Sequence, residues 1–141
     1  MTKASEPRLT LERDGRQVAY LVAQNETVYE GTMVALDASG MAHPAGQNTV
    51  TPVMGVAQST VTGDGHAVVT VRRGCFGFDA VSLTHANLGA TLYAFDDQTV
   101  SATGTVEAGT FIELEFIGSK PVAWVDLTSS RGATSTKPPV A

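Results

Sequence analysis

A six-residue pattern occurs twice in this chain and limits what it can fold into. Thr32-Met33-Val34-Ala35-Leu36-Asp37 returns 59 residues later as Thr91-Leu92-Tyr93-Ala94-Phe95-Asp96. Thr, Ala and Asp keep their places, and the other three columns stay apolar. A glycine (Gly31, Gly89) stands shortly before each copy, and a polar turn with another apolar run follows each. Such strand–turn units build small β-barrels and sandwiches. The parallel continues downstream. Pro44 to Gly46 leads to Val53-Met54-Gly55-Val56-Ala57, and Ser101 to Thr105 leads to Glu107-Ala108-Gly109-Thr110-Phe111. Gly55 and Gly109 hold similar places. A duplicated β-unit accounts for this, and so does chance likeness between two strand–turn segments.

The remaining segments also read as strands. Val18 to Ala23 is a continuous apolar run of strand length. In Ala67 to Arg72 the period is two, with residues 67, 69 and 71 on one face and Thr70 and Arg72 on the other. From Thr110 to Ile117 the same period puts Ile112, Leu114 and Phe116 on one face and Glu113 and Glu115 on a wet one. Val122 to Leu127 is the last strand, entered through a turn at Gly118-Ser119-Lys120-Pro121. A sustained helical period is absent. One short helical turn is expected at Ser82 to Leu88, capped by Thr84 and closed by Gly89. Gly63-Asp64-Gly65 reads as a hairpin turn. It lacks the alternating acids of a calcium loop and the Gly-Lys-Ser/Thr ending of a phosphate loop.

At 141 residues, with 43% hydrophobic and 16% charged residues, the chain suits one core-forming domain rather than a disordered one. No apolar run approaches the ~20 residues of a membrane-spanning helix. Lys3, Glu6 and Arg8 have no apolar segment behind them, which does not fit a signal peptide. A soluble protein of a cytoplasm-like compartment is expected. Cys75 is the only cysteine, so no internal disulfide is expected. The net charge of −5 is uneven. Lys3, Arg8, Arg13 and Arg16 against Glu6, Glu12 and Asp14 leave residues 1–16 at +1, while Arg131 and Lys137 leave residues 129–141 at +2. The body between them therefore carries −8, which repels phosphate and argues against nucleic-acid binding. The two ends are either arms that reach a partner or plain solvated tails. Pro138-Pro139 excludes both helix and central strand in the second of them.

Reaction chemistry is sparse. His43, His66 and His85 lack metal-ligand spacing, and His43 stands before a proline in an expected loop. A zinc site gathered from distant strands is the weaker reading. Asp96-Asp97 with Asp37 or Asp79 could supply the paired carboxylates of a glycosidase, but Asp at a strand end commonly binds nearby backbone amides instead. Cys75, in Arg72-Arg73-Gly74-Cys75-Phe76-Gly77-Phe78, could be a thiol activated by arginines or a small core residue. Trp124 shares a face with Val122, opposite Ala123, Val125 and Leu127. A central core strand explains that pattern, and so does an oligomer interface.

As an ordered set, these segments resemble a family. Val28 to Gly40, Gly55-Val56-Ala57, Val69 to Phe78 and Leu88 to Val100 resemble blocks of the capsid decoration (cement) proteins of tailed phages and prophages. The resemblance covers about residues 16–128. It implies an all-β fold, a small β-tulip-like barrel or sandwich over residues 17–128, with an extended N-terminal arm over 1–16 and a flexible Pro/Ser/Thr-rich tail over 129–141. It also implies a non-enzymatic virion protein, made in the host bacterial cytoplasm, that binds the outer surface of the expanded head. There it would clamp neighbouring capsomers against packaged DNA. The partners would be the major capsid protein and further copies of itself, with a trimer favoured and a dimer possible. No cofactor, metal, membrane or nucleic acid is implied. Candidate partner contacts are Pro7, Leu9, Leu11 and Arg13 on the arm, together with Arg73 and Trp124. Leu9-Thr10-Leu11 has the composition to add a strand to a neighbour's sheet edge. The other reading is a virion-displayed module that binds a host surface glycan, which would need clustered exposed aromatics.

Overall fold

A computed structural model describes residues 3–9, 16–46 and 48–127. The chain is all-β, with several antiparallel sheets and one 3-10 turn at His85–Asn87. Its strands are β1 (Gln17–Leu21), β2 (Thr27–Val28), β3 (Met33–Leu36), β4 (Ala42–Pro44), β5 (Gly55–Ala57), β6 (Val61–Thr62), β7 (Val68–Arg72), β8 (Cys75–Val81), β9 (Thr91–Ala94), β10 (Thr99–Ser101), β11 (Glu107–Ile117) and β12 (Lys120–Asp126). The expected tail lies outside the described residues. The expected helical turn forms where the sequence places it. The Thr84 side chain accepts from the Ala86 amide, and Gly89 follows at φ +85°.

Two units share one topology. The first sheet runs β1-β7-β5-β3-β4, and the second runs β8-β12-β11-β9-β10 and closes into a barrel. Every pairing along both orders is antiparallel. The barrel closes through the parallel pair β8–β10, in which Ala80 faces Val100. The first sheet curls to the corresponding point and makes one parallel bridge, Val22 to Ala42. The correspondence holds residue by residue. Val34 faces Gly55 as Leu92 faces Gly109, and Val18 faces Val71 as Phe76 faces Val125.

Register therefore relates Val34 to Leu92 and Leu36 to Ala94, an offset of 58 residues rather than the 59 of the sequence repeat. The physical reason is the two-residue period of a strand, in which a slip of one position exchanges the faces. Val34, Leu36, Ala42, Ala57, Val69 and Val71 line the interior of the first unit, with Val22 and the partly buried Tyr20. Their counterparts Leu92, Ala94, Val100, Phe111, Ala123 and Val125 line the second, with Ala80 and Phe78. Met33 and Ala35 point the other way, out of the first unit, and are fully buried in the second unit's apolar cluster with Ala45, Val53 and Val56. Backbone bonds cross there too, with the Met33 N–H donating to the Asp97 carbonyl (2.8 Å) and the Val53 N–H to the Glu107 carbonyl (2.7 Å). The short β2–β6 pair adds Val28 and Val61 to the first interior.

One expected strand pattern and one expected turn change in the structure. β7 alternates as expected, with Val69 and Val71 buried and Val68 and Arg72 exposed. β11 carries a bulge between Phe111 and Glu113, so Ile112 is an extra residue without a partner on β12. The interior face passes from Phe111 to Leu114, and Ile112, expected on the face of Leu114, is half exposed. The turn before β12 is also tighter than expected. It consists of Gly118-Ser119 alone, with Ile117 facing Lys120 and Gly118 at φ +67°.

The paired glycines mark where, within each unit, one strand passes its neighbour backbone against backbone. A Cβ on Gly55 would sit 2.9 Å from the Arg72 carbonyl oxygen, and a Cβ on Gly109 would run into the Asp126 carbonyl oxygen. Arg72 and Asp126 are counterparts in register. Gly109→Ala is expected to cost about 3 kcal/mol in urea unfolding, because backbone rather than a side-chain tip must shift. Gly65→Ala, in open space at φ +95°, is expected to cost only about 1 kcal/mol.

Candidate functional site

The exposed outer face of β8–β12–β11 is the most chemically varied surface among the described residues. Strand alternation turns Ala123 and Val125 into the interior and Val122 and Trp124 outward, as expected. Trp124 faces Gly77 across the β12–β8 pair. A Cβ on Gly77 would fall 2.8 Å from Val122 Cγ1 and 3.4 Å from Trp124 Cε2, so the indole lies over the glycine and is half-buried there. The Trp124 Nε1–H donates to Glu115 Oε1 at 2.9 Å. Lys120 Nζ pairs with Asp79 Oδ1 at 3.0 Å at the margin. Trp124 thus stands outside the core in which one of its two readings placed it.

Cys75 lies at the other end of this face, opposite Asp126, and is exposed rather than a core residue. Partial burial, and then the carboxylates of Asp126 and Glu113, push its thiol pKa up. The charges that act on the thiol are these carboxylates rather than Arg72 or Arg73. Arg73 does not project outward from the strand. Its backbone N–H donates to the Arg16 carbonyl (2.7 Å), and its guanidinium reaches the Leu127 carbonyl (3.4 Å), so it ties β1 to the end of β12.

The arm divides at the limit of the described residues. Residues 3–9 form no strand and are exposed, Pro7 included, and Leu9 is 90% exposed. Leu11 and Arg13 lie outside the described residues.

His43 is a correction. It sits within β4, 9% exposed, instead of in a loop. Its Nε2 bonds Asp37 Oδ2 at 2.8 Å, and its buried Nδ1 lies 3.5 Å from Glu26 Oε1. The clue in the sequence was Asp37, one tight turn upstream of His43. Asp37 is also the turn-former the repeat implies, since its Oδ1 accepts from the Ser39 and Met41 amides. The Met41 amide, and then the His43 side chain, hold its pKa below the ordinary 3.8. Asp96 does the same work in the second copy, accepting from the Gln98 amide. Asp64 binds the His66 and Ala67 amides in the Gly-Asp-Gly turn.

A cavity of about 350 Å³ is lined by Glu26, Asp96, Asp97, Phe95, Asn48 and the segment Pro44-Ala45-Gly46. Burial, and then the neighbouring Asp96, push the Asp97 carboxyl up. No histidine lines this cavity, and no group of three or more His, Cys, Asp or Glu among the described residues is placed to hold a metal ion. Tyr29 is exposed, Tyr20 packs on the first interior, and Tyr93 and Trp124 stand on strands of the second unit. No family model, curated protein or solved structure matches the chain.

The Asp37 contacts give a signed pH dependence. A carboxyl with a lowered folded pKa adds stability above its unfolded value, and that stability is lost as pH falls through the folded value. Asp37→Asn keeps an acceptor for the turn but removes the charge. Its thermal midpoint is expected to lie below that of the unaltered protein at neutral pH, with the gap closing below about pH 4. A gap that stays constant down to acid pH would contradict this.

Proposed function

We propose that this chain is a structural virion protein, a decoration protein that binds the outside of an expanded tailed-phage or prophage head and cements neighbouring capsomers. The ordered set of segments from Val28 to Val100 supports the family. One observation about the side chains carries the role. Of the aspartates that might do chemistry, Asp37 and Asp96 bind their own turns and Asp79 pairs with Lys120, which leaves Asp97 beside Asp96 in the acidic cavity, while large apolar side chains stand in solvent on the arm and on the β11–β12 hairpin. Leu9 is 90% exposed, Phe116 58% and Ile117 61%. Exposed apolar groups at projecting elements suit adhesion to another protein surface.

In this reading the partners are the major capsid protein and further copies of the chain, a trimer favoured over a dimer. The site is the outer capsid surface, reached after synthesis in the host cytoplasm. Modest affinity per subunit is enough, because linked subunits meet a surface of many equivalent sites. The acidic body keeps the protein off nucleic acid. No catalytic step is assigned.

The test is binding and protection. Purified protein added to undecorated expanded heads of the phage that encodes it is expected to sediment with them and to raise the temperature at which they release DNA. Failure to sediment with those heads would overturn the proposal.

A further inference from the structure

β11 is much longer than its counterpart in the first unit. β5 has 3 residues and β11 has 11. The extra length runs past β9. The last contacts on that side are the Phe111 N–H to the Ala90 carbonyl (2.9 Å) and the Gly89 N–H to the Phe111 carbonyl (2.8 Å). From Ile112 to Ile117, β11 pairs with β12 alone among the described residues. The other edge of this stretch is open.

Register identifies which backbone groups the edge offers. A two-residue turn makes Ile117 and Lys120 a hydrogen-bonded pair, and such pairs alternate along an antiparallel ladder. Glu115–Val122 and Glu113–Trp124 are then hydrogen-bonded, and Phe116–Pro121 and Leu114–Ala123 are not. Pro121, which has no N–H, stands at a position that needs none toward β11. The N–H and C=O groups of Leu114 and Phe116 therefore point to the open edge. An open edge of this kind is a template for another strand.

The same chain carries an exposed segment that forms no strand, residues 3–9. On any strand Pro7 and Leu9 share one face and Arg8 takes the other. Laid along the edge, Leu9 would lie beside the exposed Phe116 and Arg8 beside Glu113 and Glu115. The signs match, since residues 3–9 carry Lys3 and Arg8 against Glu6.

We infer that the open edge of β11 over Leu114 to Phe116 is the docking site for the N-terminal arm of a second copy of this chain. Within one copy residues 3–9 are exposed and this edge of β11 is unpaired, so both are left to meet a second copy. An arm-to-edge contact joins unlike surfaces and closes into a reciprocal pair or a ring. It gives the self-association of the decoration reading a definite location, and it stands whether or not the protein binds heads.

Phe116→Pro tests the contact with little effect on the fold. It removes an N–H that β12 does not use, and the preceding Glu115 is already extended. Phe116→Thr removes the ring but keeps the N–H. Solution mass by light scattering and sedimentation is the readout, with the thermal midpoint as the check on folding. The full chain is expected to be an oligomer, and deletion of residues 1–9 to yield a folded monomer. Phe116→Pro should weaken association by about tenfold or more, and Phe116→Thr should weaken it less. A synthetic peptide of residues 1–12 should bind the deleted protein and fail to bind it when it also carries Phe116→Pro. A monomeric full chain, an oligomer that survives the deletion, or association indifferent to Phe116→Pro would each overturn the inference. None of these results depends on a capsid, so loss of head binding alone would count against the function and not against this contact.

Discussion

The fold depends on a matched pair of places where a strand passes its neighbour with no room for a side chain. Gly55 lets β5 lie against the Arg72 carbonyl, and Gly109 lets β11 lie against the Asp126 carbonyl. Because each glycine also faces a fixed partner, Val34 or Leu92, the register of three strands is set at one point in each unit. Everything interior follows from that register. The alternation it imposes puts Tyr20, Val34, Ala57 and Val71 inside one unit and Phe78, Leu92, Phe111 and Val125 inside the other. The parallel contacts Val22–Ala42 and Ala80–Val100 then complete each curl at the same place. Matching strand order, matching register and matching glycines together favour duplication over chance likeness for the sequence repeat.

How much of this was legible depended on whether a strand has one dry face or two. β7 alternates between dry and wet and was readable from residues alone. β3 is buried on both faces, with Met33, Val34 and Ala35 all fully covered. Its apolar columns hold no phase, so the repeat was found in the correct strands but one residue out of register. The β11 bulge was hidden for a related reason. Ile112, Leu114 and Phe116 make a clean alternation on paper, and only the pairing with β12 shows that Ile112 is inserted. Local polar contacts were read unevenly. Asp37, Asp64 and Asp96 were recognisable as turn-formers because their partners are their own neighbours. His43 was misplaced because His-Pro suggests a loop, whereas Pro44 ends a short strand beside the sheet edge. Cys75 was misjudged because its surroundings are set by Asp126 and Glu113, which are distant in sequence.

The two units share a plan and differ in what is added to it. In the first unit the excursion between β5 and β7 folds back as β6 against β2 and covers the interior. In the second, the corresponding excursion is the projecting β11–β12 hairpin, with Trp124 laid over Gly77 on one face and a free backbone edge on its side. The shared plan thus supplies a scaffold, and the unshared additions supply surfaces that can meet other molecules. The arm, which belongs to neither unit, is the other unshared element.

The central claim is that this scaffold works on the outside of a capsid. On the proposed reading a tailed phage or prophage encodes the chain, and electron cryo-microscopy of that phage's mature heads tests the claim most directly. The account predicts density for a double β-unit on the outer surface, at regular lattice positions between capsomers, that is lost when the gene is removed. Heads whose outer surface is the same with and without the gene would contradict it.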